Sequence, residues 1–482
     1  MADAAQRSAG TDFLYRQVME TVLGSVEDGT LQPGDRLPSL RRMSQMAGVS
    51  VPTVQQAYVE LERLRRVESR PRSGYFVRHA AEAPVVRQAS LRRRRPTEYV
   101  SKPLVQRVFD GIDRHELVPL GIVSPSRARP ASGALGRATR RVMSRLGDAA
   151  LEYAPTLGEP SLRRQIAHHT FDTLGAHLDP DDVVITNGAQ EALLLALSSV
   201  ACAGDVIAVE TPTYHGLLEL IDSLGMLALE VETCPEEGID LDCLAEGLAD
   251  HPVKACLFST TLSNPLGATM PKPRQLDLLE MLARCDVPLI EDDVYGELLF
   301  DGSRPTPCQF LGSEARILTC SSFSKTAAPG FRIGWVSAPG HAAEIARRKR
   351  AFSCTSPRLN QLALADFQAS GDYGRHLASL RPVLRRNAER CSALVEEHFP
   401  EGTRLSRPVG GSVLWVQLPG RTSAEELFER ALQEGVSVAP GSIFSPARRF
   451  ANCLRLSFGH PWSGEIERAL ALLGRCAAEL AT

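Results

Sequence analysis

The apolar positions along the chain fall into two unlike stretches. From Phe13 to Val26 they recur at helical spacing (Phe13, Val18, Val22, Leu23, Val26), which predicts a first helix. Gly29 and the pair Pro33-Gly34 stop it. Ser39 can cap a second short helix, SLRRMSQMA, that ends at the turn Ala47-Gly48-Val49. Ser50 caps a third, with Pro52 tolerated in its first turn. On that helix Val54, Tyr58, Leu61 and Leu64 share one face and read as core, leaving Thr53, Gln55 and Gln56 outward. Residues 67–77 are short extended runs separated by Pro71, Ser73 and Gly74, the pattern of a two-stranded hairpin with Arg70 and Arg72 near its tip. Residues 79–118 carry alanines, prolines and the run Arg92–Arg95 without sustained periodicity, and read as a linker.

From about Pro119 the pattern changes. Short apolar runs (Val183–Ile185, Val206–Val209, Ala255–Phe258, Pro288–Ile290, Ile317–Thr319) alternate with amphipathic helical stretches. Buried strands separated by helices predict an α/β domain with a mostly parallel sheet covered on both faces. Ligands of such sheets bind beyond the carboxyl ends of the strands, and the residues there are unusual. Ile185 leads to Thr186-Asn187-Gly188-Ala189-Gln190, a glycine turn entering an apolar helix. Val209 leads to Tyr214-His215, and Phe258 to Ser263-Asn264-Pro265. Ile290 leads to Glu291-Asp292-Asp293 and Tyr295, three acids expected to be solvated or paired with a buried cation. Thr319 leads to Ser322, Ser324, Lys325 and Arg332.

Composition narrows the class. The 482 residues are 43% hydrophobic and 23% charged, as in ordinary globular proteins. Neither a secretory signal nor a run long enough to span a bilayer is visible. Eleven scattered cysteines without a CxxC pair point to reduced thiols, a cytoplasmic setting and no metal site. The net charge of −3 hides an asymmetry: residues 1–95 hold 16 Arg, no Lys and 10 acids, or +6, and the remainder holds −9. A basic segment on an acidic body is the footprint of a nucleic-acid-binding module, although a solvated basic face would look the same. Two helices joined by a tight glycine turn supply the missing motif, since that layout offers the second helix to the major groove of DNA. Arg70 and Arg72 could then touch phosphates or enter the minor groove. The competing reading is a small helical oligomerisation module with surface arginines.

One ligand satisfies the strand-end turns together. Pyridoxal phosphate needs an amine for its aldehyde, an acid beside its ring nitrogen, donors for its ring oxygen and an N–H-rich cationic pocket for its phosphate. Lys325 supplies the amine and must lose its proton to react, which a desolvated, cation-rich site favours. Asp292 faces the ring nitrogen, Asn264 and Tyr295 the ring oxygen, and Tyr214 stacks on the ring. Gly188, Ala189, Gln190, Ser322, Ser324 and Arg332 surround the phosphate at a helix N-terminus.

Two resemblances sharpen this reading. The string from Leu31 to Arg41, with Gly48-Val49-Ser50, Thr53-Val54, Ala57-Tyr58, Leu61-Glu62 and Ser73-Gly74-Tyr75, resembles the GntR-type winged helix-turn-helix over residues 11–78. It implies DNA contacts from Arg41, Ser50, Thr53 and the wing; Val51-Pro52 departs from the arginine many relatives carry after the capping serine. Residues 119–482 resemble fold-type I (aspartate aminotransferase-like) enzymes, with a smaller C-terminal α/β subdomain. The landmarks are Tyr153, Gly158, Leu162-Arg163, Asn264-Pro265, Asp292, Tyr295, Lys325 and Leu454-Arg455. This resemblance implies a homodimer in which Tyr153 reaches the partner subunit's cofactor, and an α-carboxylate bound by Arg455. The segment from Ile122 to Pro130 fits that family poorly. Joined, the halves resemble the MocR subgroup of GntR regulators. That implies a transcriptional regulator sensing an amino acid, an amine or pyridoxal phosphate through an aldimine at Lys325. An active aminotransferase with an accessory DNA-binding domain is the alternative.

Overall fold

The computed structural model describes residues 14–77 apart from 16, 20, 27–29, 33, 64–66 and 71–73, residues 95–99, and residues 103–481 apart from 115 and 302. The chain forms two compact units, residues 1–84 and 85–482.

In the small unit the described residues between 14 and 26 are helical. The helices Leu40–Ala47 and Val51–Arg63 follow, then the antiparallel strands Val67–Arg70 and Gly74–Val77. Ser39 caps the first of these helices by accepting from the Arg42 N–H. Gly48 ends it in the left-handed region at φ 66°, which a residue with a Cβ adopts only under strain. Asp35 to Leu37 pair with the wing, since Leu37 N–H donates to Tyr75 O and Val77 N–H to Asp35 O. Val18, Val22, Leu37, Met43, Val54, Ala57, Tyr58, Leu61, Val67 and Val77 form the core. Thr53 differs from expectation. It is 4% exposed, and its hydroxyl bonds Ser50 Oγ at 2.7 Å. Its position one turn before Ala57 puts it on the buried stripe, so it cannot face a base edge. Phe13, Leu64, Arg72 and the Arg70 side chain lie outside the described residues, as does half of the segment expected to be linker, including Arg92 to Arg94.

The large unit is built on an eight-stranded sheet. Its spatial order is Val183–Thr186, Gly334–Ser337, Ile317–Ser322, Leu289–Asp292, Val253–Phe258, Val206–Thr211, Leu227–Cys234 and Gly238–Ile239. Gly334–Ser337 runs antiparallel to both neighbours, Gly238–Ile239 pairs antiparallel, and the remaining pairs are parallel. The central strands are buried on both faces, which explains their continuous apolar runs. A second, antiparallel sheet of Arg404–Leu405, Val413–Gln417, Cys453–Ser457 and Ala439–Pro440 forms the smaller subdomain. It is accompanied by the helices Asp372–His398, Ala424–Gln433 and Gly464–Leu480. Among the described residues no helix is long and apolar enough to cross a membrane.

The segment expected to be linker is largely built into this unit where it is described. Pro103–Asp113 is a helix that buries Val105 and Val108 in the core. Its apolar residues Leu104, Val105, Val108 and Phe109 follow the i, i+1, i+4, i+5 spacing of one helical face, a pattern only three turns long. Thr97 bridges Ala228 through two backbone hydrogen bonds, and Tyr99 is buried beside it. Val118–Pro119 pairs with Val436–Ser437 of the smaller subdomain.

Candidate cofactor and effector site

The carboxyl ends of the parallel strands open into a cavity of about 250 Å³. Lys325 lies three residues past the strand Ile317–Ser322, and its Nζ donates to Val123 O at 2.8 Å. Burial and the nearby Arg455 lower its pKa to about 8, against the opposing pull of Asp292. Asp292 ends its own strand in the same cavity. Burial pushes its pKa up to about 7, although the Val294 N–H and Lys325 work the other way. Its Oδ1 has no hydrogen-bond partner among the described residues. A buried carboxylate left with an orphaned oxygen is costly unless a cation or donor completes it, and a protonated ring nitrogen is such a group. Tyr214, Asn264 and Tyr295 line the same space.

At one end of the cavity Gly188, at φ 84°, precedes the helix Ala189–Val200. A Cβ there would sit 2.4 Å from Arg332 Nη2, so glycine is required by both backbone and space. Arg332 donates to Asn187 O at 3.1 Å and reaches Ser324 Oγ at 3.5 Å. Ser322 Oγ donates to Ser324 Oγ and accepts from the Ser324 N–H. The first N–H groups of a helix have no internal acceptor. Together with Arg332 and two hydroxyls they suit a phosphate. The Gln190 side chain is used elsewhere, on Gly216 O at 2.9 Å, so only its backbone N–H remains for such a cradle. These residues fit pyridoxal phosphate.

Arg455, on the strand Cys453–Ser457, is 2% exposed and lies over the Phe444 ring at 5.1 Å. It donates to Asn264 Oδ1 at 3.2 Å and to Gly121 O at 2.6 Å; its Nε is unpartnered among the described residues. Burial lowers its pKa to about 10, and no carboxylate pairs with it among the described residues. A buried guanidinium satisfied only by neutral oxygens is ready to take an anion.

The three expected acids divide three ways. Glu291 is neither solvated nor cation-paired: Thr260 Oγ1 donates to it at 2.6 Å, Thr319 Oγ1 at 3.1 Å and the Cys308 N–H at 3.1 Å. Hydroxyls can approach because its strand is covered on both sides. Asp293 is ion-paired to Arg304, which also meets Glu297 at 3.3 Å. Asp292 alone faces the cavity. Tyr153 does not line the cavity and is 86% exposed in the single chain.

The cavity is also lined by residues to which the sequence pattern assigns no role: Val108 and Phe109 from the helix Pro103–Asp113, Gly121 to Val123, and His215. Gly121, together with Ile122 and Val123 at the start of the Ile122–Pro130 segment that fits the aminotransferase pattern poorly, supplies carbonyls to Arg455, His460 and Lys325. Side-chain identity gives no signal for a wall made of backbone. In the small unit Arg41, Ser50, Gln55 and Gln56 are exposed.

Residues 132–473 match the family Aminotransferase class I and II, and residues 14–77 match the bacterial regulatory proteins of the gntR family. The chain is 34% identical over 460 residues to the uncharacterized HTH-type transcriptional regulator YjiR of Escherichia coli, covering 95% of this chain and 98% of YjiR. It is 29% identical over 486 residues to the HTH-type transcriptional regulator TauR of Rhodobacter capsulatus, covering 97% of each. Among solved structures it resembles the kynurenine aminotransferase of Pyrococcus horikoshii with a TM-score of 0.74 and 27% identity, over 80% of this chain and 96% of that one. The α-aminoadipate aminotransferase LysN of Thermus thermophilus gives 0.72 and 28% over the same shares. The chain therefore belongs to the MocR subgroup of GntR-type transcriptional regulators, in which a DNA-binding winged helix-turn-helix is fused to a pyridoxal-phosphate-dependent, aminotransferase-like domain.

Proposed function

We propose that this regulator senses an amino acid or amine in the cavity of its large unit and changes its affinity for operator DNA in response. The observation that carries the proposal is the presence of the part-buried Lys325 and the buried Arg455, neither paired with a carboxylate among the described residues, in one cavity with the half-satisfied Asp292. Lys325 supplies the amine that holds pyridoxal phosphate, and Asp292 keeps its ring nitrogen protonated. Tyr214 stacks on the ring, while Asn264 and Tyr295 donate to its oxygen. The Gly188–Gln190 turn, Ser322, Ser324 and Arg332 take the phosphate, with Tyr153 of the partner subunit completing it in a homodimer. When bound, the cofactor supplies an aldehyde that exchanges between primary amines and a ring that accepts electrons. Arg455 then orients an incoming amino acid by its α-carboxylate in a two-pronged pair. Arg41, Ser50, Gln55, Gln56 and the wing arginines contact the operator, and a cytoplasmic setting accords with that role. The ligand shifts DNA affinity only as far as it favours one arrangement of the dimer over another.

The test is Lys325→Ala. Wild type should show a near-visible absorbance band and an effector-dependent gel shift on its own upstream region; the variant should lose the band and the response while still binding DNA. An unchanged response overturns the role of Lys325. The intact set Lys325, Asp292 and Arg455 also favours a second reading, an active aminotransferase, which formation of pyridoxamine phosphate from a panel of amino acids at enzyme-like rates would establish.

A further inference from the structure

His215 lines the cavity 4% exposed, yet its Nδ1 has no hydrogen-bond partner among the described residues. Its ring meets Phe109 edge-on at 5.1 Å and Phe444 at 5.7 Å, and Val108 and Ile122 continue the same apolar lining. Phe444 in turn lies beneath the Arg455 guanidinium. A ligand held by its α-carboxylate on Arg455 therefore has this wall within reach of its side chain. Given the sensing role proposed above, we infer that His215, backed by Phe109 and Val108, selects effectors with an uncharged side chain that ends in a hydrogen-bonding atom.

The charges around the wall exclude the alternatives. Among the described residues Asp292 is the only carboxylate lining the cavity, and the sensing role assigns it to the cofactor. A basic side chain would meet Lys325, Arg332 and Arg455 with no acid left to receive it. An acidic side chain fares no better. Arg455 is taken by the α-carboxylate, and the sensing role assigns Arg332, which lies against Gly188 and Ser324, to the phosphate of the cofactor. His215 stays neutral, since burial and then Arg455 and Lys325 hold its pKa down at about 3. A second carboxylate would be buried against Val108 and Phe109 without a cation, a costly transfer. A purely aliphatic side chain fits the wall but leaves the imidazole nitrogen unsatisfied. A terminal amide or hydroxyl meets both demands.

The test titrates the full-length, pyridoxal-phosphate-loaded protein with the isosteric pairs L-glutamine/L-glutamate and L-asparagine/L-aspartate, and with L-lysine and L-methionine. Affinity is read from the near-visible band and, independently, by calorimetry. The amide of at least one pair should bind at least tenfold more tightly than its acid, with lysine weakest. His215→Phe should reduce the preference for that amide over methionine at least tenfold while methionine affinity stays within about twofold. His215→Gln, which keeps a donor and an acceptor, should retain the preference. Acids binding as tightly as their amides, or a uniform loss across ligands in His215→Phe, overturns the inference. The wild-type order decides the matter even where a variant does not fold. A wild-type band that moves with no ligand removes the sensing role and this inference together, whereas a band that moves without the expected order removes this inference alone.

Discussion

Lys325 and Val123, 202 residues apart in the chain, are joined by a 2.8 Å hydrogen bond from the lysine amine to the backbone carbonyl. The bond spans the cavity wall, fixing the amine at the strand end where burial and Arg455 lower its pKa to about 8. An ordinary lysine, near 10.4, would hold almost no free amine at neutral pH. Lowering the pKa raises the unprotonated, reactive fraction there.

A pH dependence follows. Below the lowered pKa the free-amine fraction grows about tenfold per pH unit, and above it the fraction saturates. Covalent loading of the protein with pyridoxal phosphate should therefore accelerate with pH up to about 8 and then level off. Loading rates followed by absorbance across pH 6 to 10 check this. A rise that continues unbroken towards pH 10 would show that Lys325 titrates as a free lysine.

Arg455→Lys keeps the charge but loses the planar fork. Ligands bearing an α-carboxylate should bind about ten- to a hundredfold more weakly, the range expected from losing one charge-assisted hydrogen bond. Amines without a carboxylate should be little affected. Parallel titrations of wild type and variant with an amino acid and its decarboxylated amine separate the two. Equal losses for both would remove Arg455 from carboxylate recognition.

Gly188→Ala places a Cβ at 2.4 Å from Arg332 Nη2 and strains a backbone at φ 84°. Arg332 must then move, opening the phosphate end. The dissociation constant for pyridoxal phosphate should rise at least about tenfold, equivalent to about 1.4 kcal/mol, while cofactor-free binding to non-specific DNA stays unchanged. Equilibrium dialysis and a gel shift measure the two.

In the small unit, Ser50 Oγ accepts from the Thr53 N–H at 3.3 Å as the cap of the helix Val51–Arg63. Ser50→Ala should cost about 1 kcal/mol of stability, seen as a lower denaturation midpoint of this unit. Arg41→Ala should instead leave stability unchanged and reduce the salt dependence of DNA binding by about one phosphate contact. Loss of stability in Arg41→Ala, with an unchanged salt slope, would contradict the assignment.

The alternation of apolar and polar residues determined the secondary structure of both units wherever an element was long or strongly signalled. Ser39, Gly48 and Ser50 marked helix ends because capping is a local affair between residues three or four apart. The continuous apolar runs marked parallel strands, and the residues just beyond them marked the site, because strand ends in such sheets open onto the ligand crevice. Tertiary structure alone decided what depends on partners distant in sequence. In sequence, residues 103–113 look like linker because their apolar face is short; the helical state of Pro103–Asp113 comes with burying Val105 and Val108 in a core formed by residues far along the chain. Thr53 was turned inward by that same kind of packing. The fates of Glu291, Asp292 and Asp293 were set by whether threonine hydroxyls, an open cavity or Arg304 came to meet them. His215 and the carbonyls of Gly121 and Val123 belong to the site because the fold brings them there. Local pattern carries backbone preference, whereas burial, charge pairing and pocket walls arise only when remote segments meet.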